Sequence, residues 1–347
     1  MLRIGIDTDV LGEYSKAGKI IIKLRNGSDS MPVIQTVCGK ISPEALGFCH
    51  SHEHITIANG KCTKIDPALR IDDFGKSMQE LLLFKSVGGC AIVDCQPVGA
   101  GRISQDQARL SEESGIHIVS STGFHKMNFY EDDHWIFIWD EKAIEELFVH
   151  ELTVGMYLDT ETKIPNEHHS SKAGVIKVAF DTPGLSQQYK KLFTAAARAG
   201  VKTNASLIIH IENGTNPIEL DDFLGAQGVA SEKRIYCHMD RAVSDIGTHI
   251  ELCRRGSYME YDTICRVKYH EDNAEIDIIK KVLDAGFEDS LLLGLDATNK
   301  RLKAYGSEFG LDYIKETFIP QMWAAGITPE QTDKFMVQNP AKAFRIG

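Results

Sequence analysis

The chain has 347 residues, 43% of them hydrophobic and 25% charged, with a formal net charge of −11. That length suits one (β/α)8 barrel, which takes roughly 250 residues before decoration, better than two independent domains. The acidic balance argues against a nucleic-acid partner, which leaves a basic footprint. No apolar run approaches the roughly 18 residues that span a bilayer. No basic segment followed by an apolar core and a cleavage site opens the chain, so a soluble cytoplasmic protein with no membrane partner is expected.

Residues 1–31 differ from the rest. Ile20-Ile21-Ile22 suits a short strand and Asn26-Gly27 a turn; a β hairpin and an extension ahead of a second start at Met31 both remain open. Over 32–347 short apolar runs recur, at 48–52, 90–94, 116–121, 175–179, 207–210, 234–238, 258–261 and 291–296. Helical patterns such as 77–85, 140–152 and 187–199 lie between them. Strands alternating with helices predict βα units around a parallel sheet. Nearly continuous apolar runs fit strands covered on both faces, and eight of them predict an α/β fold of the TIM-barrel type. The polar stretch 159–171 is read as a loop. The eight cysteines form no Cys-x-x-Cys pair, so free thiols are expected, with Cys90 and Cys95 acting as small hydrophobes.

Polar residues punctuate the C-terminal ends of these runs. His52 and His54 end the first, Lys177 interrupts the fourth, His210 and His238 end the fifth and sixth, and Asp296 ends the last. Barrel enzymes draw their catalytic groups from those ends. Two histidines two apart on a strand point to one side and can share a metal. A lysine inside an apolar strand is costly unless paired or chemically changed. Each residue alone has an ordinary explanation: a surface pair, a hydrogen-bonded histidine, a helix-capping aspartate. The ordered set at strand ends points instead to a metal site. A dinucleotide fold is set aside, because no Gly-x-Gly-x-x-Gly follows a strand; Gly99-Ala100-Gly101 is too short a match.

The chain resembles the phosphotriesterase-like branch of the amidohydrolase superfamily. The likeness rests on Ile34-Gln35-Thr36-Val37, Gly39 and Ala45-Leu46-Gly47-Phe48 leading into His52-Glu53-His54, on Gly174-Val175-Ile176-Lys177-Val178, and on Gln338-Asn339-Pro340-Ala341. It covers about residues 32–345. It implies two divalent metal ions, zinc first with manganese or cobalt as alternatives, bridged by a carboxylated Lys177 and a hydroxide. His52, His54 and Asp296 would hold the more buried ion, and His210 and His238 the more exposed one. Asp296 would also shuttle the proton, making Asp296 and Lys177 the catalytic pair. Glu53 is expected to be structural.

The loops after the last two strands carry Arg266, Lys268, Arg301 and Tyr305, with Lys300 and Lys303 in reserve. Arginine and lysine are the usual phosphate partners. The cluster resembles the branch's lactonases for phosphorylated sugars, which implies a phosphorylated sugar 1,4-lactone and a small, anionic substrate. His125 is expected to line the pocket and His117 to pack inside the barrel. The aromatic stretch 129–139 is either a lid or ordinary packing. Other readings stay open: a lactonase, carboxylesterase or organophosphate hydrolase for an unphosphorylated substrate, or a non-catalytic metal-stabilised binding protein. A homodimer is carried by analogy only.

Overall fold

The computed structural model describes residues 31–346, so the hairpin or extension predicted over 1–31 lies almost wholly outside the described residues. Pro32–Ile346 forms one compact unit. It opens with a hairpin that the sequence reading did not foresee. Strand β1 (Ile34–Thr36) pairs antiparallel with β2 (Gly39–Ile41), and the Thr36 hydroxyl donates to Gly39 O at 2.8 Å. Strands of three residues are too short to show a period-2 pattern. Val37 N donates to Ile118 O at 2.9 Å, which ties the hairpin to the barrel.

The barrel strands follow in chain order and pair in parallel: β3 (Cys49–Glu53), β4 (Ala91–Asp94), β5 (His117–Gly123), β6 (Val175–Phe180), β7 (Leu207–Ile211), β8 (Arg234–Cys237), β9 (Tyr258–Tyr261) and β10 (Leu291–Leu293). Nearly all their residues are buried, as strands covered on both faces must be. Helices lie between successive strands, the longer ones burying an apolar face. The Gln187–Thr203 helix buries Leu192, Phe193, Ala196 and Ala199 and ends on Asn204 in the left-handed conformation at φ 57°. The Glu141–Thr153 helix starts at Asp140, whose carboxylate accepts from Ala143 N at 2.8 Å.

No ladder joins β10 to β3. Instead Asp296 N donates to His52 O at 3.1 Å. Glu53 fills the rest of the seam, accepting Leu295 N at 3.0 Å and Ala297 N at 3.3 Å. This is the structural work expected of Glu53. A Cβ on Gly294 would sit 2.7 Å from His52 O, so only glycine lets the two edges meet here.

The 129–139 stretch is anchored by its buried aromatic side chains, while Asp132, Asp133 and Ile138 are exposed. Tyr130, Trp135 and Ile136 are buried, and Trp135 Nε1 donates to Thr160 O at 2.8 Å. No helix among the described residues is long and apolar enough to cross a membrane.

Candidate metal centre

Parallel pairing places every strand's C-terminal end on one rim. The register sets Gly123 beside Lys177, Ala179 beside His210, and His210 beside Cys237. His52, His54, Lys177, His210, His238 and Asp296 are all buried and gather at that rim. Ring centroids of His52 and His238 lie 4.9 Å apart, and those of His210 and His238 4.5 Å apart. Asp296 Oδ1 is 3.4 Å from His54 Nε2 and 3.9 Å from His52 Nε2. His52, His54 and Asp296 offer donor atoms close enough for one ion. His238 and Asp296 leave their strands at φ 60° and 48°. Such conformations are unfavourable for residues with a Cβ and concentrate at functional sites.

The ligand-type histidines are oriented by carboxylates that the sequence reading did not single out. His52 Nδ1 donates to Glu260 Oε2 at 2.8 Å and lies 3.3 Å from Asp262 Oδ2. His238 Nδ1 donates to Asp262 Oδ1 at 2.6 Å. Each bond fixes the proton on Nδ1 and leaves the Nε2 lone pair for the site, the usual arrangement of a metal-ligating imidazole. Glu260 lies in the seventh barrel strand and Asp262 just past its end, two residues apart like His52 and His54 at the end of the first. That inward period-2 pattern was the available signal.

Burial pushes His210 down to about 4. Burial and the nearby Arg241 hold His238 well below its ordinary value, so both rings are neutral and able to bind a cation. Burial alone would raise Asp296, but Arg266, His54 and Arg241 outweigh it and keep its carboxyl well below the usual range.

Lys177 has no solvent exposure. Among the described residues its Nζ meets His52 Nε2 at 3.3 Å and Cys237 Sγ at 3.8 Å and forms no ion pair. An isolated ammonium there carries a large desolvation cost. With His54 Nδ1 also lacking a partner, the donor set fits divalent cations. Imidazole nitrogens and carboxylate oxygens suit zinc or manganese.

The predicted substrate residues separate. Arg266 Nη1 donates to Asp296 Oδ2 at 2.5 Å. Arg241, which follows His238 by three residues and was not foreseen, donates to the same oxygen at 3.1 Å. Both guanidinium groups lie over the Tyr269 ring, at 5.0 Å for Arg241 and 5.6 Å for Arg266. Lys268 is exposed, with Nζ 5.2 Å from that ring. Arg301 turns inward, donating to the carbonyls of Leu295, Asp296 and Ile264. It ties two loops together, with both Nη1 hydrogens and one Nη2 hydrogen spent on backbone carbonyls. Tyr305 OH accepts Asp73 N at 3.3 Å, and Lys76 lies over its ring. Lys303 pairs with Asp312, and Lys300 is exposed. His125 is buried with its ring 5.4 Å from that of His210. His117 begins β5, at the end of the barrel away from the rim.

A model of the phosphotriesterase family matches residues 32–344. Among solved structures, the lactonase from Listeria monocytogenes superposes with a TM-score of 0.82 at 31% identity, covering 90% of this chain and 98% of that one. The phospho-furanose lactonase of Mycoplasmopsis synoviae is 26% identical, covering 89% of this chain and 91% of its own. The N-acetyltaurine hydrolase of Danio rerio is 25% identical, covering 89% and 97%. The match along nearly the whole barrel, together with the rim of histidines, lysine and aspartate, places this chain in the phosphotriesterase family as a metal-dependent hydrolase.

Proposed function

We propose that the chain opens a lactone carrying an anionic tail, a phosphorylated sugar 1,4-lactone foremost, at two divalent ions joined by a carboxylated Lys177. The observation that carries this reading is the convergence of Arg241 and Arg266 on Asp296 Oδ2. Arg241 also reaches Asp262 Oδ1 at 3.4 Å, and the two guanidinium groups still carry further N–H donors beside the hydrolytic aspartate. Arginine is suited to grip phosphate through paired N–H donors. The lactonase relatives from Listeria and Mycoplasmopsis support the same bond type.

His52, His54 and Asp296 would hold one ion, His210 and His238 the other, with Lys177 between them. Bound there, such ions supply Lewis acidity and a water acidified to near neutrality. The protein does the rest. Asp262 and Glu260 hold the imidazoles in the ligating tautomer. Asp296, kept ionised, accepts the proton of the attacking water and returns it to the leaving oxygen. Arg241 and Arg266 orient the tail.

A second reading, hydrolysis of an N-acyl amide with a sulfonate tail, draws on the N-acetyltaurine hydrolases, which match at similar identity. Sulfonate and phosphate are both oxyanions that this arginine pair can bind. The deciding experiment sets metal-loaded protein against phosphorylated lactones, their unphosphorylated counterparts and N-acetyltaurine. Arg266→Ala is expected to lower kcat/KM for the preferred anionic substrate by roughly 30-fold more than for a tail-less lactone, the scale of removing one partner of a buried charge pair. Equal losses on both would contradict the tail-binding role.

A further inference from the structure

Outside the rim, the short Met239–Ala242 helix after β8, the loop after β9 and the Asp272–Asp284 helix bring Asp240, His270 and Glu275 together. One donor atom from each lies within 4.8 Å of the other two. Glu275 has no solvent exposure, and neither of its carboxylate oxygens has a hydrogen-bond partner. His270 Nε2 is 3.2 Å from Glu275 Oε2, yet it too lacks a hydrogen-bond partner. The other ring nitrogen, Nδ1, faces Glu271 O at 3.3 Å. A proton on Nδ1 leaves Nε2 with only a lone pair, the tautomer of a metal-bound imidazole. The carboxyl groups of Asp240 and Glu275 and the His270 ring thus face one another with no other protein donor between Glu275 and its neighbours. Asp240 already accepts Asp262 N at 3.0 Å, Thr263 N at 2.6 Å and Arg241 N at 3.0 Å, so its carboxyl group is held in place pointing at this spot.

We propose that Asp240, His270 and Glu275 form a third divalent-cation site, separate from the binuclear centre and taking a transition-metal ion such as zinc. An imidazole and two carboxyl groups are all donor types that bind zinc, and three of them leave a fourth position for water. A cation removes the cost of a buried, unpaired carboxylate. A cavity of about 330 Å³ lined by Asp240, His270, Asp277 and Lys281 opens beside it, which gives an ion and its water a route in. The ion would act structurally, pinning the loop after β9 to the helix that follows. Asp240 passes that order to Asp262 through the Asp262 N–H, and Asp262 holds His238 and His52.

The test is metal analysis of full-length protein saturated with zinc chloride and desalted. The expected count is three zinc ions per chain in the wild type and two in both Glu275→Gln and His270→Ala. His270 is at the edge of the cluster, with 16% of its side chain exposed, so its truncation opens no core cavity and guards against misfolding of the Glu275 variant. A wild-type count of two that both variants retain would overturn the site, leave the binuclear reading intact, and mean that Asp240 and Glu275 share a proton. A single wild-type ion that His270→Ala removes would support this site and sink the binuclear one.

Discussion

Asp262 is the residue on which most of the rim's order converges. Its two oxygens reach His238 Nδ1 at 2.6 Å, His52 Nδ1 at 3.3 Å and His238 N at 3.1 Å. In Asp262→Asn only one acceptor oxygen remains, and one imidazole faces an amide N–H that turns it to the wrong tautomer. Metal affinity is expected to fall roughly 10–100-fold, measured by competition with a chromogenic chelator; an unchanged affinity would remove Asp262 from the support of the site. His134 gives a stability prediction of the same scale. Its Nδ1 accepts Ile136 N at 3.2 Å, its Nε2 meets Thr160 O at 3.0 Å, and burial pushes it down to about 4. Below about pH 6.5 the unfolded chain gains a proton that the folded chain refuses until near pH 4, so stability is lost across that window as pH falls. The total is on the order of 3 kcal/mol. His134→Asn keeps a capping acceptor but cannot titrate, so its Tm should fall less steeply between pH 6.5 and 4 than that of the wild type. Identical slopes would contradict this.

Among elements, the contact between β5 and β6 sets the position of Lys177. Gly123 ends β5 at φ 105°, and a Cβ there would lie 1.9 Å from Lys177 O. Phe124 N donates to that same oxygen at 2.8 Å. Gly123→Ala would meet both the steric cost of a positive φ and a backbone clash, so a loss of about 2 kcal/mol or more is expected in denaturant unfolding. Metal content should fall with it as the lysine strand is displaced; full stability would show that the strand can move aside. The elements were legible in the sequence to differing degrees. The long helices and the βα alternation were readable because apolar periodicity is strong over ten or more residues. The β1–β2 hairpin was not, because each arm spans three residues. Arg301 illustrates a different gap. A loop arginine reads the same whether it faces a ligand or three backbone carbonyls, and only the fold reveals its partners. Glu260 and Asp262 offered only their two-residue spacing as a signal, because they act on histidines supplied by other strands, β3 and the end of β8, a relation that sequence order does not display.

At the scale of the whole molecule, the barrel turns residues spaced from position 52 to position 296 into one cluster. Closure at the β3–β10 seam brings Asp296 N to His52 O. The first and last strands therefore contribute to the same donor group. The order of these residues could be read along the chain because each stands at the end of an apolar run, and parallel strands align such ends. The substrate could not be read in the same way. It depends on loops whose arginines, Arg241 and Arg266, currently hold Asp296.

Anomalous diffraction from crystals of the metal-loaded protein, collected at the metal's absorption edge, tests the central claim most directly. Two peaks are predicted at the rim, one among His52, His54 and Asp296 and one beside His210 and His238, with density extending from Lys177 Nζ between them. A map with no peak at the rim, and a bare Lys177 amine, would contradict it.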